Sequence, residues 1–308
     1  MKSKLEGAGS IAVVMPTAIG DTLLMMVLVN NLIRNGYRVT VFSWVIKDLA
    51  DWFPGIDVRD DTAADTEAER KTQDTSERFD LVIQLRATSF GRALAGGTEV
   101  CEIVGFDAFQ VPGHMIDMIV AVARDAFGLT DITRHNGIAV PNGIRFRAYE
   151  RRVAIHPTGS HIEKMWPRKK FVALAQKLVQ RDFQPTLLVA PCERQTWLMD
   201  KDAAQRLHSF DRLAEVAAWI AESGWFIGND SGLGHLASAL GVPTLSLFMR
   251  RGIARTWRPN WGRGAIVLPY NLFVVGALKE RYWKLALTGR SVLRSFDRLR
   301  LEEGSSGS

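Results

Sequence analysis

Short apolar runs alternate with helical patterns along most of this 308-residue chain. That alternation restricts the fold to parallel sheets with helices on both faces. Residues 11–15, 39–44, 81–85 and 102–105 read as strands, and 22–35 and 114–127 as helices ended by Gly36 and Gly128. A second series follows. Residues 153–156, 187–190, 226–228, 244–248 and 265–268 read as strands, with helices at 168–181, 213–222 and 234–240. Between the series, residues 140–152 are polar and basic, with Pro141 and Gly143. This stretch reads as a domain boundary. The chain is long enough for two domains of about 150 residues. The expected division is 1–145, 146–275 and a charged helical tail at 276–303, with the first domain as a candidate packing surface for the tail. Ligands of doubly wound sheets bind beyond the carboxyl ends of the strands. Two such halves therefore place one site in the cleft between them.

The most informative segment starts at Trp225. An apolar strand runs into Gly228-Asn-Asp-Ser-Gly232, and the turn opens a helix. Such a junction presents unused backbone N–H groups and the positive end of a helix dipole, a seat for phosphate. Asp230 suits sugar hydroxyls, while Ser231 and Gly232 suit phosphate. Gly232 and Gly234 admit a ligand close to the backbone. His235 lies one turn after Ser231 and reads equally as a diphosphate partner or as a packed side chain. The plain alternative for the whole run is N-capping. Thr158, Gly159 and Ser160 follow another strand and suit a phosphate-binding turn. Cys192 reads as a small buried residue, and Trp166 as packing.

The bulk properties exclude more than they select. A net charge of +6 and a pI near 9.5 favour anionic ligands, and 47% hydrophobic residues with mean hydropathy near zero fit an ordinary globular chain. No apolar run reaches membrane-spanning length. Residues 1–10 lack the apolar core of an export signal, and two cysteines suit a reducing compartment. Residues 57–78 carry eight acids and four bases and read as an exposed loop, with a lid over the acceptor as its functional option. The basic residues lack the aromatic interleaving of a nucleic-acid platform.

Three blocks resemble one family. Met15-Pro-Thr-Ala-Ile-Gly-Asp-Thr-Leu-Leu24, His156-Pro-Thr-Gly-Ser-His-Ile-Glu-Lys-Met-Trp-Pro167 and Gly228-Asn-Asp-Ser-Gly-Leu-Gly-His-Leu-Ala-Ser-Ala-Leu-Gly-Val-Pro243 are similar, in order, to segments of glycosyltransferase family 9. This is the ADP-heptose:lipopolysaccharide heptosyltransferase family. The resemblance implies an α/β GT-B fold, two Rossmann-like domains with parallel sheets facing a central cleft. The first domain would bind acceptor and the second the nucleotide-sugar. It implies inverting transfer without a bound metal or cofactor, with ADP-heptose or a related nucleotide-sugar as donor. The acceptor would be an anionic saccharide or glycolipid such as the lipopolysaccharide inner core. The implied setting is the cytoplasm, with peripheral contact at the inner membrane as an option.

Asp21, after Thr17 and Gly20 in the first block, is then the expected general base for the acceptor hydroxyl. The alternative is a cap for a helix starting at Thr22. Lys164 is expected to stabilise the departing diphosphate; the alternative is a solvated lysine. Glu193 matches a family acid that binds ribose, or is simply a first-turn acid. The chain departs from the family after Phe248, where residues 249–257 read as a basic loop. Two other readings stay open: a GT-B transferase with another nucleotide-sugar and a capsule, antibiotic or protein acceptor, and a non-catalytic nucleotide-binding relative.

Overall fold

The computed structural model describes residues 5, 7–60, 78–98, 100–270 and 277–304. The chain divides into two compact units, Met1–Ala139 and Val140–Ser308. The division falls a few residues before the 145/146 boundary expected from the sequence.

The first unit contains β1 (Ser10–Val14), α1 (Ile19–Arg34), β2 (Arg38–Phe42), α2 (Trp44–Asp48), β3 (Asp57–Arg59), β4 (Leu81–Gln84), α3 (Ser89–Ala95), β5 (Val100–Glu102) and α4 (Met115–Ala121). Its sheet has the order β3-β2-β1-β4-β5, and every pairing is parallel. β1 is central, and its Ile11–Val14 side chains are buried on both faces, which explains the unbroken apolar run. α1 starts three residues earlier than the apolar pattern suggested. The Thr22 hydroxyl donates to the Pro16 carbonyl at 2.7 Å and ties the strand–helix loop to the first turn. At its other end Gly36 takes φ +86°, a left-handed conformation that stops the helix. The expected loop at 57–78 begins as the edge strand β3; its residues 61–77, and the lid option with them, lie outside the described residues.

The second unit contains β6 (Tyr149–His156), α5 (Arg168–Val179), β7 (Gln184–Leu188), α6 (Pro191–Leu198), α7 (Lys201–Ala204), β8 (Leu207–His208), α8 (Leu213–Glu222), β9 (Ser223–Asn229), α9 (Gly232–Ala239), β10 (Thr244–Leu247), α10 (Arg251–Trp257), β11 (Gly264–Val267), α11 (Ala277–Ala286) and α12 (Gly289–Gly304). The sheet order is β11-β10-β9-β6-β7-β8, again parallel throughout. The chain runs outward from β6 in one direction and from β9 in the other. The crevice between β6 and β9 is therefore the topological switch point, where doubly wound folds hold ligands.

Two expectations are corrected here. Residues 249–257 are not a loop, because Arg251–Trp257 forms α10. The tail is seated on the second unit: Trp283, Leu287, Val292, Leu293, Phe296 and Leu299 are buried in one core with Val153, Phe171, Leu187 and Trp225. The apolar stripe of α12 has a ready partner in the α5 side of its own sheet, and burying it there satisfies the tail without the first unit. Among the described residues, no helix is long and apolar enough to cross a membrane.

Candidate functional site

The carboxyl ends of β6 and β9 carry the two motif segments of the second unit. Their register pairs His156 with Gly228, so the Pro157–Ser160 turn and the Asn229–Ser231 turn leave the sheet side by side. Asn229 is buried and binds them together. Its Nδ2 donates to the Pro157 carbonyl at 2.8 Å, and its Oδ1 accepts from the Trp166 amide at 3.0 Å.

His156 forms a second link. Its Nδ1 lies 2.9 Å from the Ser231 hydroxyl, and its Nε2 lies 3.1 Å from the Thr158 hydroxyl. Ser231 occupies the N-cap position of α9, yet its side chain makes no capping hydrogen bond. The plain alternative of N-capping thus fails for this residue; its hydroxyl is held by the imidazole instead. α9 opens with Gly232 and Leu233, whose amides precede the helical ladder and are available to an anion.

Lys164 and Asp230 meet at 3.8 Å, with the lysine side chain 39% exposed and the aspartate 14%. Such a pair is worth little by itself. It holds the ammonium group beside the α9 turn. The segment that carries Lys164 is pinned by the tail. Trp283 Nε1 donates to the Glu163 carbonyl at 3.0 Å and Lys284 Nζ to the Ile162 carbonyl at 2.7 Å. In return, Trp166 Nε1 donates to the Leu287 carbonyl at 2.9 Å, and Lys170 Nζ reaches the same oxygen at 3.0 Å. Lys170 Nζ also reaches the Lys284 carbonyl in the last turn of α11, where helix carbonyls otherwise lack partners. Trp166 is buried edge-on against Phe171, which fits packing.

The remaining candidates fall in different places. Gly159 and Ser160 lie in the turn after β6, with Ser160 exposed, while Thr158 is buried. His235 is buried and meets the Trp261 ring edge-on at 6.0 Å, a packed environment. Glu193 stands in the first turn of α6, where its Oε2 accepts from the Ala190 amide at 3.0 Å. One oxygen thus serves the helix start, the plain alternative for this residue. Cys192 is exposed rather than buried, because the first turn of α6 faces solvent. In the first unit, Thr17 is exposed in the loop after β1, Gly20 is buried, and Asp21 stands part-exposed in the first turn of α1. Ala18 is the N-cap, so Asp21 does not occupy the cap position. This loop leaves the carboxyl end of β1, the switch point of its own sheet.

Sequence reasoning passed over His156 and Asn229. Both stand inside quoted motifs, but the links they make across the two loops, His156 to Ser231 and Asn229 to Trp166, join residues more than 60 positions apart and give no local signal.

Burial among the surrounding atoms pushes the His156 imidazole down to about 4, although part of the residue stays accessible. The ring is neutral at pH 7. In the unfolded chain it titrates near 6.5, so between these values the unfolded state binds the extra proton. Its contribution to stability is complete above pH 6.5 and is lost as pH falls towards 4. The full shift corresponds to about 3 kcal/mol, and partial exposure reduces this to about 2. Thermal melts from pH 7 to 4.5 should show a smaller acid loss for His156→Gln than for the wild type. Parallel curves would remove His156 from the acid response.

Two doubly wound parallel α/β units, the second with two hydrogen-bonded loops at its switch point, define the GT-B class. Residues 110–268 match the family model described as glycosyltransferase family 9 (heptosyltransferase), and the chain belongs to that family. A lipopolysaccharide heptosyltransferase 3 from Escherichia coli (strain K12) is 34% identical over 103 residues, a match covering 31% of this chain and only 30% of that relative. The structure of E. coli ADP-heptose lps heptosyltransferase II aligns with a TM-score of 0.74 at 17% identity, over 96% of this chain and 99% of the other. E. coli heptosyltransferase WaaC with ADP aligns with a TM-score of 0.68 at 14% identity, over 94% and 99%. At those identities the two structures speak for the fold.

Proposed function

We propose that the protein is an inverting glycosyltransferase that moves a heptose, or a related sugar, from an ADP-sugar to an anionic saccharide acceptor such as the lipopolysaccharide inner core. The reading rests on one observation above the others: Lys164, Asp230, Ser231 and the start of α9 gather at the β6/β9 switch point. The heptosyltransferase relatives named above supply the donor and acceptor classes. The net charge of +6 suits a phosphorylated or carboxylated acceptor.

In this mechanism the acceptor hydroxyl oxygen attacks the anomeric carbon from the face opposite the diphosphate. Asp21 removes the hydroxyl proton as the new C–O bond forms. The bond from the anomeric carbon to the diphosphate oxygen breaks, and ADP leaves with the electron pair. Lys164 and the Gly232 and Leu233 amides meet the charge that develops on the leaving group. Thr17 and Gly20 line the acceptor side. Thr158, Gly159, Ser160, Ser231 and His235 surround the diphosphate, Asp230 holds sugar hydroxyls, and the second Glu193 oxygen is the ribose acceptor. The chemistry needs no metal or cofactor in this account. The setting is cytoplasmic, with peripheral contact at the inner membrane.

The test is ADP release from ADP-heptose in the presence of heptose-deficient lipopolysaccharide, with UDP- and GDP-sugars as competitors. Transfer from ADP-heptose alone is the expected result. Turnover of a UDP- or GDP-sugar in its place would overturn the donor assignment, and tight ADP binding without transfer would make the chain a non-catalytic relative. Within the same assay, Lys164→Ala should raise the donor KM and slow transfer, together by about tenfold or more in kcat/KM. An unchanged kcat/KM would remove Lys164 from the leaving-group role.

A further inference from the structure

His156 is a polar side chain at the switch point to which the proposed chemistry gives no task. It ends β6, and its two ring nitrogens reach hydroxyls on both loops, Ser231 at 2.9 Å and Thr158 at 3.1 Å. A neutral imidazole has one N–H and one lone pair, so it gives one hydrogen bond and receives one. The two hydroxyls therefore cannot play the same part. The one that donates to the ring has spent its proton. The one that accepts from the ring keeps its proton for something else.

Burial decides between them. Thr158 is 6% exposed, and its hydroxyl proton has the ring nitrogen as a close acceptor. Ser231 is part-exposed at the start of α9, where no capping bond consumes its hydroxyl. The consistent arrangement has Thr158 Oγ1 donating to Nε2 and Nδ1–H donating to Ser231 Oγ. We infer that His156 is a positioning residue for the diphosphate site, which fixes the Ser231 hydroxyl as a donor pointing at the ligand anion. The inference rests on the donor-binding reading given above. Its chemistry is that of a locked tautomer: Thr158 orders the ring, the ring orders Ser231, and Ser231 meets phosphate beside the Gly232 amide. The depressed basicity of the imidazole keeps this polarity at neutral pH.

The experiment uses the full chain and ADP as the probe, with calorimetric binding and steady-state transfer from ADP-heptose. His156→Phe keeps a flat ring and removes both hydrogen bonds. It should weaken ADP binding about tenfold and raise the donor KM by a similar factor, with kcat changed much less. Ser231→Ala should cost about the same, and the double variant no more than either alone, because the ring acts through that hydroxyl. His156→Gln, whose amide both gives and receives, should recover most of the affinity, and it also carries the test if the phenylalanine variant fails to fold. Fully additive losses from His156→Phe and Ser231→Ala would overturn the inference, as would ADP affinity unchanged in His156→Phe. A glutamine variant that folds but binds as weakly as the phenylalanine variant would also overturn it. Wild-type protein that binds no ADP would remove the donor-binding reading and this inference together; the other failures remove the inference alone.

Discussion

Replacing Asp21 with asparagine should lower turnover by about a hundredfold or more while ADP affinity stays as in the wild type. Asparagine has nearly the shape of aspartate but cannot take the acceptor proton. The donor contacts proposed above all lie in the second unit, and Asp21 stands on α1 of the first. A loss confined to kcat is therefore the signature of the base. The competing account of Asp21 is a favourable charge in the first turn of α1, worth about 0.3–1 kcal/mol. That account predicts a small drop in melting temperature and normal kcat. The N-cap position itself is ruled out for Asp21, because Ala18 holds it. Measuring kcat at saturating donor, ADP affinity and melting temperature on one preparation separates the two. Wild-type turnover in the asparagine variant would take Asp21 out of the mechanism.

The parts of the fold legible in the sequence were those buried on both faces. β1, β4, β9 and β10 are buried along almost their whole length because helices cover both sides of the sheet, and the alternation with helices declared the parallel topology. β3 and β8 escaped notice because edge strands of three and two residues carry no periodicity. α3, α6 and α10, of seven or eight residues, are too short and too mixed to show a stripe. The tail displayed its amphipathic face in sequence, but a stripe does not name its partner. Only the packing of Trp283 and Phe296 with Phe171, Phe183 and Trp225 showed which core it completes. The site was half legible for a similar reason. Motif residues announced the loops, whereas the imidazole that joins Thr158 to Ser231 depends on strand register across 75 residues. Glu193 shows the converse: its place as a first-turn acid was readable from the sequence, and the structure adds the bond its Oε2 accepts from the Ala190 amide.

That register makes Gly224→Ala the most damaging single-methyl change expected in the second unit. β6 and β9 pair at Tyr149 with Ser223 and again at Val153 with Trp225, so four steps on one strand meet two on the other. The surplus bulges over Gly224. A Cβ there would overlap the Glu150 carbonyl oxygen and lie 2.6 Å from its carbon. These are backbone atoms, which no rotamer change can move aside. The indole of Trp225 donates to the same carbonyl at 3.0 Å, so displacing Glu150 also breaks that bond. The expected cost is about 3 kcal/mol or more, or a fall of roughly 6–12 °C in melting temperature. ADP binding should fall with it even in the fraction that stays folded. Relief of the overlap slides β6 along β9, and a one-residue slip moves the His156 end by about 3.3 Å, beyond hydrogen-bond reach of Ser231. A Gly224→Ala protein that melts and binds ADP like the wild type would show that the bulge can be flattened without disturbing the site. The switch point would then draw its geometry from the loop hydrogen bonds of Asn229 and not from the strands beneath them.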